Sequence, residues 1–188
     1  MTLFKNTFRI ESTRLKGYDY SQPGEYFVTV NTNNHECLFG TVIEEEMRLS
    51  PVGKIAKNCW EEIPKHFHNI DLDEFVIMPN HVHGIIIINE NDTTVDSKFK
   101  GRDVQLNVST GKMVWKSPKR GSLGTIIRSY KSAVSKWCHD NDFDNFEWQS
   151  RYYDHIIRGE KELQNIRDYI INNPIKWFLE KENPDGDK

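Results

Sequence analysis

The chain has 188 residues, which fits one compact domain with some decoration rather than several. Its 37% hydrophobic and 12% aromatic content supports one core, and 28% charged residues with a formal charge of -3 exclude a protein that coats nucleic acid indiscriminately. No apolar run reaches the roughly 20 residues a spanning helix needs, and the start lacks a signal-peptide core, so a cytoplasmic protein without a membrane partner is expected.

Cys37, Cys59 and Cys138 are odd in number, widely spaced and free of CxxC pairing, which suits a reducing compartment and neither a disulfide framework nor a zinc finger. Local charge is less even than the total. Between Lys98 and Arg120 the cations Lys98, Lys100, Arg102, Lys112, Lys116, Lys119 and Arg120 face one acid, Asp103.

In chain order, Tyr26 to Asn31 is rich in β-branched and aromatic residues and follows the turn signal Pro23-Gly24, so it reads as a strand. Ser50-Pro51 resembles a cap followed by a first-turn proline. Val52, Ile55, Ala56, Cys59, Trp60 and Ile63 then recur at helical spacing until Pro64 stops the helix. Leu72 to Met78 and His81 to Ile88 read as two strands joined at Pro79-Asn80, the second apolar enough to be central in its sheet.

From about residue 89 to 121 the periodicity dissolves into a long basic insertion. Its cations together with Trp115 and Phe99 form the usual combination for unpaired nucleic acid, lysines and arginines for phosphates and aromatic rings for bases. A solvated loop would look the same.

Ser122 can cap a helix through Leu123, Ile126, Ile127, Tyr130, Val134 and Trp137. Tyr153 to Ile157 reads as a strand, and a last helix runs from about Glu160 to Ile171, ended or kinked by Pro174. The order strand, helix, strand, strand, helix, strand, helix predicts an α+β fold. It is the ferredoxin-like βαββαβ plan, an antiparallel sheet with helices on one face plus a C-terminal helix. That plan fixes no function.

His81 and His83 are two apart on a strand, so both imidazoles point to one side and converge. Neutral imidazoles bind transition ions, but two leave a site open and need a further ligand. One buried, hydrogen-bonded histidine beside an edge histidine is the ordinary alternative. On the last helix Tyr169 and Asn173 are four apart and share a face. A phenolate can attack a phosphate that a cation polarises, although a core tyrosine and a helix cap are the commoner uses of these two residues.

Three blocks together resemble the REP-associated tyrosine transposases, single-strand transposases of the HUH type. They are Phe75-Val-Ile-Met-Pro-Asn-His-Val-His-Gly84, Trp148-Gln-Ser-Arg-Tyr-Tyr-Asp-His-Ile-Ile-Arg158 and Ile166-Arg-Asp-Tyr-Ile-Ile-Asn-Asn-Pro174. The likeness spans a core of about residues 14 to 177 in a single domain of 1–188. It implies His81 and His83 as ligands of Mg or Mn, Asn173 as third ligand where a related group has glutamine, and Tyr169 as the nucleophile.

The implied activity cuts and rejoins single-stranded or hairpin DNA through a 5′-phosphotyrosine, by a monomer or homodimer. Tyr152 and Tyr153 are rival nucleophiles, His155 a further candidate near the metal, and Asn172 the neighbour of Asn173 on a different face. A non-catalytic module binding single-stranded nucleic acid on a ferredoxin-like sheet is the alternative, and it predicts metal-independent binding without a covalent adduct.

Overall fold

The structure is a computed structural model, which describes residues 3–4, 7–8, 15, 17–90 and 121–182. The basic insertion's Lys98, Lys100, Arg102, Lys112, Trp115, Lys116, Lys119 and Arg120 lie outside the described residues. Two two-residue strands, β1 (Leu3–Phe4) and β2 (Thr7–Phe8), pair as a hairpin near the start.

The main sheet has four antiparallel strands: β3 (Gly24–Asn31), β6 (Ile70–Ile77), β7 (His81–Ile88) and β8 (Tyr153–Ile157), in the order β6-β7-β3-β8. The apolar strand β7 is therefore central, as its composition requires. A separate hairpin, β4 (Gly40–Ile43) and β5 (Glu46–Leu49), precedes helix α1 (Pro51–Glu61). This hairpin has no glycine or asparagine at its turn. Glu44 and Glu45 adopt positive φ of 49° and 66°, a two-residue reversal whose backbone favours other residues and whose signal is therefore absent from the sequence.

Helix α1 starts as its sequence predicts, with the Ser50 hydroxyl accepting from Gly53 N at 3.0 Å and Pro51 in the first turn. The helix ends at Glu61, and Pro64 lies in the first turn of a short second helix, α2 (Ile63–His66). Helix α3 (Leu123–Asp140) begins after Ser122, but no cap forms: the Ser122 hydroxyl meets Thr125 Oγ1 at 3.2 Å instead of a backbone N–H.

The last helix is two. α4 (Glu160–Ile171) breaks at Asn172, and α5 (Asn173–Glu182) restarts at once, with Pro174 in its first turn where a missing N–H costs nothing. The expected stop at Pro174 is thus a restart, and the helical path carries on beyond the proposed ligand Asn173.

The sheet has two unequal faces. α1 and α3 cover one, packing Trp60, Tyr130, Ile126, Ile127 and Val134 on Tyr26, Val28, Val82 and Ile86. Gly84 belongs to this face, and a Cβ there would come within 2.3 Å of Trp60 Cζ2, so the glycine admits the indole. α4 covers only part of the other face, with Leu163 and Ile170 on Phe27, Ile85 and Ile157. There Arg167 donates from Nε and Nη2 to Asp73 Oδ2 at 2.9 and 2.7 Å, tying α4 to the bulged strand β6. α5 leans on the β4–β5 hairpin. Among the described residues no helix is long and apolar enough to cross a membrane.

Candidate active site

The half of the second face that α4 leaves open is polar, and it forms a cleft of about 390 Å³. From the sheet come Thr29, Asn31, Asn80, His81 and His83, and from the helical layer Tyr169, Asn173, Lys176, Trp177 and Glu180. The antiparallel register explains the first group: His81 is opposite Asn31 and His83 opposite Thr29, so period two delivers all four to one face. The second group shares a helical face across the break at Asn172.

Both imidazoles are oriented by their Nδ1. Asn80 Oδ1 lies 2.6 Å from His81 Nδ1, and a carboxamide oxygen only accepts, so Nδ1 carries the hydrogen and Nε2 a lone pair. His83 Nδ1 meets Thr29 Oγ1 at 2.9 Å, and its Nε2 lies 3.2 Å from Tyr169 Oη. The phenol donates to that Nε2 when Nδ1 gives its own hydrogen to the threonine.

Burial pushes the His81 imidazolium down to about 4, with His35 adding to the shift, and burial next to His81 pushes His83 down to about 3. Both are neutral ligand-type imidazoles at physiological pH. Their rings are 4.4 Å apart, His83 stacks on Phe27 at 5.3 Å, and Phe27 meets the Tyr169 ring edge-on at 6.1 Å.

The donor set suits a divalent ion in part. Among the described residues no group of three His, Cys, Asp or Glu side chains forms that could hold a metal. The buried Asn173, 7% exposed, is the cleft's remaining protein amide next to Tyr169, and its carboxamide makes no hydrogen bond among the described residues. Asn172 is exposed and donates back to Asp168 O at 2.7 Å, which removes it from the cleft.

Other sequence candidates separate from the cleft. His155 lines a different cavity of about 300 Å³, and its Nε2 lies 2.8 Å from Glu162 Oε1, whose other oxygen accepts from Arg158 N. Tyr152 packs against the core on the far face. Tyr153 is on the site's face but two strands from His83.

Sequence reading missed Lys176, whose ammonium lies 5.2 Å from the centre of the Tyr169 ring, and Trp177, 6.0 Å from the His81 ring. Their signal was present as positions seven and four beyond Tyr169 and Asn173, hidden by ending the helix at Pro174.

No family model matches the chain. An uncharacterized protein of Haemophilus influenzae is 43% identical over 169 residues, spanning 88% of each chain. At greater distance, a putative REP-associated tyrosine transposase of Haemophilus influenzae is 24% identical over 84% of this chain and 74% of its own length. The REP-associated tyrosine transposase of Escherichia coli is 22% identical over 84% of this chain and 70% of its own length.

The fold is shared with a solved REP-associated tyrosine transposase bound to a REP hairpin, at a TM-score of 0.55 and 19% identity, over 88% of this chain and 74% of that one. The class is therefore an α+β transposase fold. This chain belongs to the REP-associated tyrosine transposase family.

Proposed function

We propose that the chain is a metal-dependent endonuclease and strand transferase of single-stranded or hairpin DNA, with Tyr169 as nucleophile and His81, His83 and Asn173 as ligands of Mg or Mn. One observation carries the reading: Tyr169 Oη lies 3.2 Å from His83 Nε2 within one chain, although 86 residues separate them. A nucleophile and the ligands that would orient its phosphate thus share one cleft. The transposase names of the distant relatives, and the hairpin DNA on one of them, support the substrate class.

The bound divalent ion would polarise the scissile phosphate and offset its developing charge. The chain's own groups do the rest. Asn80 and Thr29 hold the two imidazoles by Nδ1, Phe27 backs His83 and Tyr169, and Lys176 brings an ammonium to the same cleft as the phosphate.

Tyr169 is 39% exposed, so its Oη can release its proton to water while its ring remains against Phe27. The phenol oxygen then bonds to phosphorus and the bond from phosphorus to the 3′ oxygen breaks. That oxygen leaves as a 3′-hydroxyl after taking a proton, and a 5′-phosphotyrosine remains. Another 3′-hydroxyl can reverse the attack, so rejoining needs no nucleotide cofactor.

The test is incubation with a labelled hairpin-bearing single strand and Mn or Mg, followed by a denaturing gel. Wild type should give a slow-migrating covalent species. Tyr169→Phe should bind the strand and give none, and His81→Ala should lose both the adduct and Mn affinity by calorimetry. An adduct formed by Tyr169→Phe would remove the nucleophile assignment. Binding without any adduct, indifferent to metal, would favour the plain binding module.

A further inference from the structure

The open part of the second face carries one aromatic ring that the proposed reaction does not use. Tyr153, the first residue of edge strand β8, pairs with Thr29, and Thr29 pairs with His83, so the three stand in one cross-strand row on one face. Adjacent strands are about 4.8 Å apart, which puts Tyr153 roughly 10 Å from the His83 backbone, level with it across the sheet. The ring is 47% exposed in spite of its size. It is also anchored: Phe27 meets it edge-on at 6.4 Å, and the same Phe27 stacks on His83 and touches Tyr169. The next outward side chain of β8, His155, is engaged by Glu162 and offers no competing platform.

We propose that Tyr153 is the stacking platform for an unpaired base beside the phosphate held in the His81, His83 and Tyr169 cleft, a subsite that deepens the strand-transfer reading and rests on it. A strand whose phosphate lies at the imidazoles must run either over the helical layer or along the open face. The open face continues without a break from His83 through Thr29 to Tyr153.

An exposed tyrosine on a sheet edge is ordinary by itself. A half-exposed ring, backed by an aromatic that also backs the nucleophile and aligned in register with a proposed ligand, is a built surface for a nucleobase. Stacking accepts any base, so this subsite would hold the strand without reading its sequence. Near it, the Asn31 and Gln149 carboxamides are joined by a hydrogen bond of 2.9 Å, a polar rim beside the ring.

The test compares two fluorescent probes of equal length, oligothymidylate and a fully abasic strand, by anisotropy with the full chain in chelator. Tyr153→Ala should weaken oligothymidylate binding roughly 5- to 100-fold, the range of losing a single stacked base, and leave abasic binding unchanged. Tyr153→Phe should keep wild-type binding. Equal loss on both probes, loss on neither, or a wild type that does not bind oligothymidylate would each overturn the subsite, and equal losses in Tyr153→Phe and Tyr153→Ala would reassign the contact to the hydroxyl. Adduct formation by the wild type tests the strand-transfer reading separately: stacking without an adduct would remove that reading and leave the Tyr153 contact standing.

Discussion

The two faces of the sheet are built from alternate residues of the same strands, yet they obey different rules. His83 and Gly84 are neighbours in β7. One joins a polar cleft, and the other lies beneath Trp60 among side chains that are almost wholly buried. The face under α1 and α3 is closed and aromatic-rich. The opposite face is closed only where Leu163 and Ile170 of α4 reach it, and open where imidazoles, amides and a phenol converge. Stability is thus concentrated on one side of a single layer and chemistry on the other, which lets the site keep exposed and incompletely paired polar groups without weakening the core.

The sharpest way to break that division is Tyr169→Phe. It removes one hydrogen bond, so unfolding free energy should fall by no more than about 1 kcal/mol, while strand cleavage should drop by roughly 10⁴-fold or more, as for loss of other nucleophiles. Calorimetry and the denaturing gel read the two separately. A large loss of stability would mean that the open face also holds the fold together.

The mirror experiment is Trp60→Ala on the closed face. Deleting a fully buried indole should cost roughly 3–5 kcal/mol in a denaturant titration. Gly84→Ala sharpens the contrast within one strand. Its methyl must displace Trp60, so a loss of about 1–3 kcal/mol is expected from a residue adjacent to His83. A neutral result there would show that α1 can retreat from the sheet at little cost.

Acid should act on the open face. The folded-state values of about 4 and about 3 for His81 and His83 lie below the ordinary 6.5, so the unfolded chain binds more protons between those limits. Their contribution is complete above about pH 6.5 and is lost as pH falls towards 4 and then 3. At pH 5.5, one unit below the unfolded value, each histidine can cost at most about 1.4 kcal/mol. Melting curves in chelator should show this slope in wild type and a flatter one in a His81→Asn, His83→Asn double variant. An unchanged slope would place the acid-sensitive groups elsewhere.

The mildest test is Asp73→Asn, which weakens the tie from β6 to Arg167, two residues before Tyr169. Amide exchange should quicken in α4 and not in α1 or α3, and adduct formation should slow several-fold.

Much of the closed face was legible because its signals are local. Helical spacing marked α1 and α3, the apolar run marked β7 as central, and Ser50-Pro51 marked a helix start that the structure keeps. The β4–β5 hairpin was not legible, since two glutamates occupy turn positions that glycine or asparagine would have announced. Pro174 misled for a related reason: the residue that ends a helix interior is equally at home in the first turn of the next one. Ending the helix there concealed Lys176 and Trp177.

By itself the sequence determined that two imidazoles would share one side of a strand and that Tyr169 and Asn173 would share one side of a helical path, because side-chain periodicity depends only on backbone dihedrals. It also marked the chain's likeness to the transposases in three short blocks. Only the tertiary structure decided that strand and helix face each other, with phenol and imidazole 3.2 Å apart, and that Arg167 ties that helix to Asp73. Contacts across such separations are chosen by which apolar faces can bury one another, and no local pattern carries that choice.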